Sequence, residues 1–320
     1  MTNQQIEYVM AVAEERSFSK AAKKLFVTQP SLSKFIINLE TQLGIALFDR
    51  SSSPITITEA GSIFIETANR MKELEQDMFN KMSDLAGLKN GSLRIGASPF
   101  RASSLLSQSV VAFHSRYPDI QILISENQIT ELEQELLKGE LDIAIGMSKF
   151  DTELFGVEDL ALEKLYLAVP EKLPINKKLA AYKLNADDIK FNSEKLFSLE
   201  HADLREFRKE DFIFQNNSDY NSQSILKICK NAGFNPKITF TSRSLETIFS
   251  FVTSGLGIAF IPDTFIRYSN KSEHPVYYAV SDILAENQIK LIYKKNKYLS
   301  KAAQQFCITL KELISMGTWK

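Results

Sequence analysis

The 320-residue chain is short of most features that would place it outside the cell, in a membrane or among the common enzyme classes. It has only two cysteines, Cys229 and Cys307, far apart in sequence, so no disulfide framework is expected and a reducing, cytoplasmic setting is. No stretch approaches the ~20 consecutive apolar residues that cross a bilayer, so no membrane partner is expected. The opening Met1-Thr-Asn-Gln-Gln-Ile-Glu carries neither a basic segment nor an apolar run, and so does not read as a secretory signal. The three histidines, His114, His201 and His274, share no ligand spacing with one another or with cysteine, so neither a metal nor another cofactor is expected. No phosphate loop, nucleophile elbow or dinucleotide fingerprint occurs in a fitting context, and Gly255-Leu-Gly reads as a helix end running into a strand. An enzyme is therefore not expected. Net charge is missing as well: 38 basic residues face 39 acidic ones, which taken alone speaks against a nucleic-acid binder.

The local distribution of charge changes that reading. The hydrophobic (44%) and charged (24%) fractions fit a soluble globular chain, and the length asks for two or three folded units. Residues 1–90 hold 10 basic and 11 acidic side chains, and residues 91–320 hold 28 of each. Between Arg16 and Leu39, however, five basic residues (Arg16, Lys20, Lys23, Lys24 and Lys34) occur with no acid, flanked by Glu14, Glu15 and Glu40.

Apolar spacing places this basic strip on helices. Ile6, Val9, Met10 and Ala13 form one amphipathic stripe. Ser17 caps a second helix through Ala21, Ala22 and Leu25, and Thr28 caps a third, with Pro30 in its first turn and Leu32, Phe35, Ile36 and Leu39 along it. Two short helices meeting across a tight turn form a helix-turn-helix, whose second helix enters the DNA major groove. Phe26 stands where the turn usually carries glycine. Gln29, Pro30, Ser31, Ser33 and Lys34 then lie exposed at the start of the second helix, with side chains suited to base edges, thymine methyls and phosphates. After an extended Ile55–Thr58 piece, a long helix to about Leu88 repeats Phe64, Met71, Met78 and Leu85 every seven residues, with Leu74 and Leu88 alongside, which is the pattern of a dimerising seam.

At Lys89 the texture turns to alternating strands and helices, β-α-β-α-β, which implies a parallel sheet covered by helices. A second set follows from Leu165, and its Ser254–Ile261 answers Lys138–Ile145 of the first. Two such lobes leave a cleft between them. The final strand near Ile289 and helix Ala302–Ile314 are expected to pack back on the first lobe, while the polar stretch 176–211 carries no functional signal.

Residues 2–65 resemble the DNA-binding domain of LysR-type transcriptional regulators, through Ser17-Phe-Ser-Lys-Ala-Ala, Val27-Thr-Gln-Pro-Ser-Leu-Ser, Leu39-Glu-Thr-Gln-Leu-Gly-Ile-Ala-Leu-Phe-Asp-Arg and Ile57-Thr-Glu-Ala-Gly. The likeness extends over essentially the whole chain. It implies an α/β multidomain protein: a winged helix-turn-helix (1–58), a long linker helix that dimerises (59–90), and a two-lobed α/β effector domain of periplasmic-binding-protein type (91–320; lobe I about 91–163 and 268–320, lobe II about 164–267). The implied partners are double-stranded promoter DNA, a small-molecule effector, further copies of the chain forming a homodimer and then a homotetramer, and RNA polymerase. By this resemblance Gln29, Pro30, Ser31 and Lys34 face the major groove, with Ser17, Lys20 and Ser33 nearby, while Arg50, Ser51 and Ser52 form the wing. Many members carry extra arginines in the wing where this chain has serines, so weaker wing contacts are expected.

Effectors of doubly wound sheets bind beyond the carboxyl ends of strands. The expected lining is Ser98, Phe100 and Arg101 after the first strand, Ile129 and Thr130 after the second, and Gln215, Asn216 and Thr241 in the other lobe. Helix N-termini and Arg101 together would suit an organic anion or an amino acid. A free-standing two-lobed binding protein or an enzyme would account for the lobes but not for residues 1–88.

Overall fold

A computed structural model describes residues 1–320 except 86, 88–90, 199, 216–219, 270 and 316–320, so Leu88 and Asn216 lie outside the described residues. The chain divides into two compact units, Met1–Phe79 and Asn80–Lys320.

The first unit begins with α1 (Asn3–Glu15), α2 (Phe18–Lys24) and α3 (Gln29–Leu43). Each start is a side-chain cap: the hydroxyls of Thr2, Ser17 and Thr28 accept from the backbone N–H three residues on, and Pro30 occupies the first turn of α3. Val9, Val12, Ala21, Leu32 and Ile36 are fully buried where the three helices meet. The short wing pairs β1 (Phe48–Asp49) with β2 (Thr56–Ile57) antiparallel. The following helix, α4 (Glu59–Leu85), is capped by Thr58, whose Oγ1 accepts from Gly61 N and donates to Ala46 O.

Two details depart from the sequence expectations. Phe64 is turned into the core of the first unit with Ala68, so it takes no part in an exposed seam on α4. The large apolar residues left bare on α4 are Ile63, Met71, Leu74, Met78, Phe79, Met82 and Leu85, of which Met71, Leu74, Met78, Met82 and Leu85 follow three- and four-residue steps; Met82 is the member that the strict sevenfold repeat misses. The helix-turn-helix turn is made with Phe26 itself in the left-handed region, at φ 54°, with its ring 97% exposed.

In the second unit, β3 (Ser92–Ala97) pairs parallel with both β4 (Gln121–Glu126) and β5 (Ile143–Gly146). Between them lie α5 (Pro99–Arg101), a π-helical turn (Ala102–Leu106), α6 (Ser107–Arg116) and α7 (Ile129–Leu137). The fifteen-residue β6 (Phe155–Val169) then runs from one lobe into the other. Short helices α8 (Ile175–Lys178), α9 (Ala186–Lys190) and α10 (Glu194–Ser198) punctuate the polar 176–211 stretch, which supplies Leu179, Leu184, Ile189 and Phe207 to the core. There follow β7 (Asp211–Gln215), α11 (Tyr220–Asn231), β8 (Lys237–Ser242), α12 (Leu245–Thr253), β9 (Ala259–Pro262), α13 (Asp263–Tyr268), β10 (Val276–Ala279), β11 (Glu286–Lys294) and α14 (Lys301–Ser315).

The first half of β6 pairs antiparallel with β11, which also borders β5; the second half pairs with β9 and β10. β10 therefore belongs with the second lobe, where Val276 and Tyr278 are buried, and the return to the first lobe comes at β11 rather than at 268. Helix α14 packs Ala303, Phe306 and Leu310 onto the first-lobe core with Leu93, Ile95 and Phe113. Near the end of α4, Asp84 accepts from Tyr298 Oη (2.6 Å) and from Lys301 N, where α14 begins.

Two substitutions test these local constraints. A Cβ on Gly61 would stand 2.2 Å from Leu47 O, against backbone that cannot swing aside, so Gly61→Ala should destabilise the first unit by about 1–3 kcal/mol, read as a lower melting temperature. Phe26→Gly should do the reverse and raise it, because a left-handed non-glycine residue costs roughly 1–2 kcal/mol and this ring has little packing to lose.

Candidate functional site

On α3 the residues divide cleanly by exposure. Leu32, Ile36 and Leu39 are buried, whereas Gln29, Pro30, Ser31 and Lys34 are exposed and Ser33 is half-buried. The Ser31 hydroxyl lies 2.7 Å from Thr28 Oγ1. Ser17 is committed to capping α2, and Lys20 stands exposed one turn on. Of the five cations in the basic strip, Lys24 pairs with Glu14 (2.6 Å), and this bond holds its ammonium pKa above the usual lysine range. Arg16, Lys20, Lys23 and Lys34 are exposed and make no ion pair among the described residues.

The wing is organised by carboxylates. Glu40 on α3 accepts from the backbone N–H groups of Leu47 and Phe48 through Oε1 (2.8 and 3.2 Å) and from Arg50 Nη2 through Oε2 (2.6 Å). The Arg50 guanidinium also lies 4.9 Å from the centre of the Phe18 ring. Arg50 is thus a strut between wing and helices, with only its remaining N–H groups free to meet a phosphate. Asp49 accepts from the hydroxyl and the N–H of Ser51, and these two bonds lower its carboxyl pKa. Ser52 Oγ donates to Pro54 O.

In the second unit a cavity of about 390 Å³ opens between the two lobes at the carboxyl ends of β3, β4 and β7. Its lining includes Ser98, Phe100, Arg101, Ile129 and Gln215. Ser98 caps α5, Gln215 Nε2 donates to Arg243 O, and the Phe100 ring lies 5.2 Å from that of Phe265 in the other lobe. Thr130 and Thr241 are exposed and stand outside the lining.

Arg101 is not available to a ligand in the way the sequence invites. It is buried, and its Nη1 and Nη2 donate to Oε1 and Oε2 of Glu163 (3.3 and 3.0 Å), a residue with no solvent exposure. Thr264 Oγ1 donates to the same carboxylate. Glu163 sits on β6 where it passes between lobes, Arg101 comes from α5 and Thr264 from α13. Beside them, burial raises the carboxyl pKa of Asp263, whose Oδ1 accepts from Lys164 N. Sequence reasoning passed over five charged lining residues, Glu126, Glu131, Glu163, Arg243 and Glu246. Positions at or near strand ends and helix starts could have marked Glu126, Glu131, Arg243 and Glu246, whereas Glu163, inside β6, carries no such signal.

The two cysteines are separately buried, and burial pushes each thiol pKa up to about 12, far from the thiolate that redox chemistry needs. Removing the Glu163 carboxylate would leave a guanidinium buried without its counter-charge. Glu163→Ala should therefore destabilise the second unit by about 3–5 kcal/mol in denaturant unfolding, and an apolar pair at Arg101 and Glu163 should recover most of that loss.

Comparison with known proteins agrees with both halves of this description. The family model described as bacterial regulatory helix-turn-helix protein, lysR family, matches residues 3–62, and the LysR substrate binding domain model matches residues 86–315. Similar curated proteins include a "Probable RuBisCO transcriptional regulator" of Trieres chinensis, 30% identical over 95% of this chain and 94% of the relative. The "Uncharacterized HTH-type transcriptional regulator YcgK" of Bacillus subtilis is 28% identical over 94% and 91%. Among solved structures, full-length CbnR complexed with its target DNA aligns with a TM-score of 0.64 at 20% identity, covering 98% of this chain and 99% of that one. HinK, a LysR family regulator from Pseudomonas aeruginosa, aligns with a TM-score of 0.57 at 21% identity, covering 97% and 98%. With family models covering both its helix-turn-helix and its two-lobed domain, the chain belongs to the LysR family of DNA-binding transcription regulators.

Proposed function

We propose that α3 reads promoter DNA in the major groove and that the interlobe cavity takes the small molecule that controls this reading. The observation that carries the first part is the division of α3: its apolar face is sealed into the core while Gln29, Pro30, Ser31 and Lys34 stand bare at its N-terminal end. Gln29 suits adenine edges, Pro30 suits a thymine methyl, and Ser31, Ser33 and Lys34 suit bases or phosphates. Arg16, Lys20 and Lys23, on the adjoining turn and helix, supply phosphate contacts, and the wing adds Arg50, Ser51 and Ser52.

Two chains pair through the bare apolar stripe of α4, and two such pairs make a homotetramer. The few unpaired cations per subunit fit this reading, because several subunits acting together supply the affinity that one subunit lacks. A small molecule bound between lobes favours one lobe arrangement and so biases how subunits sit on the promoter, within reach of RNA polymerase. The protein acts in the cytoplasm, where promoter DNA lies.

Lys34→Ala tests the DNA face directly. On the promoter region of its own gene the variant should bind more weakly, with the salt dependence of binding reduced by about one counterion per subunit and with melting temperature and oligomeric state unchanged. Unchanged affinity and salt slope in a mobility-shift titration would remove Lys34 from the interface.

A further inference from the structure

The charged groups of the interlobe cavity sort into those already committed and those still open. Four carboxylates (Glu126, Glu131, Glu163 and Glu246) and two guanidiniums (Arg101 and Arg243) contribute to its lining. Arg101 and Glu163 satisfy each other in a buried two-pronged pair. Glu131 accepts from Gln128 N in the cap of α7. Glu246 accepts from Ser244 Oγ (3.0 Å) at the start of α12. These two carboxylates also oppose the positive ends of their own helices. Glu126 and Arg243 remain, and neither side chain makes an ion pair or hydrogen bond among the described residues.

The two open charges come from opposite lobes. Glu126 ends β4 in the first lobe. Arg243 follows β8 in the second and directly precedes the capped N-terminus of α12. The rest of the lining is largely apolar, with Leu132, Ile145, Phe214, Leu245 and Phe260 among it. At about 390 Å³ the cavity falls in the ~300–1,000 Å³ range of small-molecule sites.

Resting on the reading of this cavity as the effector site, we infer that the effector is a zwitterionic α-amino acid with a bulky apolar side chain, its ammonium against Glu126, its carboxylate against Arg243 and its side chain over the apolar floor. A simple organic anion fits less well. It would leave Glu126 without a counter-charge and enter a lining whose carboxylates outnumber its guanidiniums by four to two. A simple amine would leave Arg243 open. A zwitterion answers both and ties the lobes together, which gives it a stronger hold on one lobe arrangement than on another.

The test is calorimetric titration of the full-length protein with three matched probes: L-phenylalanine, 3-phenylpropanoate, which lacks the amine, and 2-phenylethylamine, which lacks the carboxylate. L-Phenylalanine should bind, and each analogue should bind roughly tenfold or more weakly, since a hydrogen bond to a charged group is worth about 1.5–3 kcal/mol. Glu126→Gln should bring L-phenylalanine down to the level of 3-phenylpropanoate, and Arg243→Gln to that of 2-phenylethylamine. If either analogue matches L-phenylalanine, and Gln at position 126 or 243 changes nothing, the zwitterion is overturned while the cavity stands as the effector site. Absence of heat from all three, in protein that still binds promoter DNA, overturns both the ligand class and the cavity as the place where it binds.

Discussion

The second unit is organised around one buried carboxylate. Glu163 has no contact with solvent, yet it receives the guanidinium of Arg101 from the first lobe and the hydroxyl of Thr264 from the second. A charge in that position is tolerable only if its partners stay in place, because a buried charge without a counter-charge and hydrogen bonds is costly. The value of such a pair lies less in net stability than in the arrangement it specifies. It stands on the strand that changes partners from β11 to β9 and β10, so it marks where one lobe hands over to the other. It also determines which charges the cavity offers, since it cancels the guanidinium that would otherwise attract an anion.

The first unit uses the same device on a smaller scale. Glu40 on α3 accepts from two backbone N–H groups at the start of the wing and from Arg50 beyond it, so α3 and the wing are held to one another. Around this joint, cations are used in two ways. Lys24 and Arg50 are neutralised within the fold, while Arg16, Lys20, Lys23 and Lys34 face solvent. A chain with no net positive charge can still present a positive face, because attraction to a phosphate depends on the charges within a few ångströms and falls away over about 10 Å of screening.

Much of this was legible in the residues. The hydroxyl caps at Ser17 and Thr28, the proline in the first turn of α3 and the apolar spacing of Leu32, Ile36 and Leu39 are local signals, and each helix begins where they indicate. The alternation after Lys89 likewise anticipates the parallel β4-β3-β5 core. The sevenfold repeat on α4 misled at Phe64, because a repeat says which residues share a face but not what lies opposite that face. At Phe64 the neighbours are the buried residues of its own unit. Arg101 misled for a related reason: an arginine at a strand end looks open until its partner, 62 positions away, is known.

What the sequence alone decides about this protein is therefore what depends on neighbours within a few turns of chain: where helices start, which faces are apolar, where cations cluster, and which family pattern these together match. The tertiary structure decides which of those groups are still available. Pairing between Arg101 and Glu163, between Arg50 and Glu40 and between Lys24 and Glu14 removes charges that look free in the sequence, and leaves Lys34, Glu126 and Arg243 open. The physical reason is that charge neutralisation acts through space at about 3 Å, and only the folded chain determines which residues come that close.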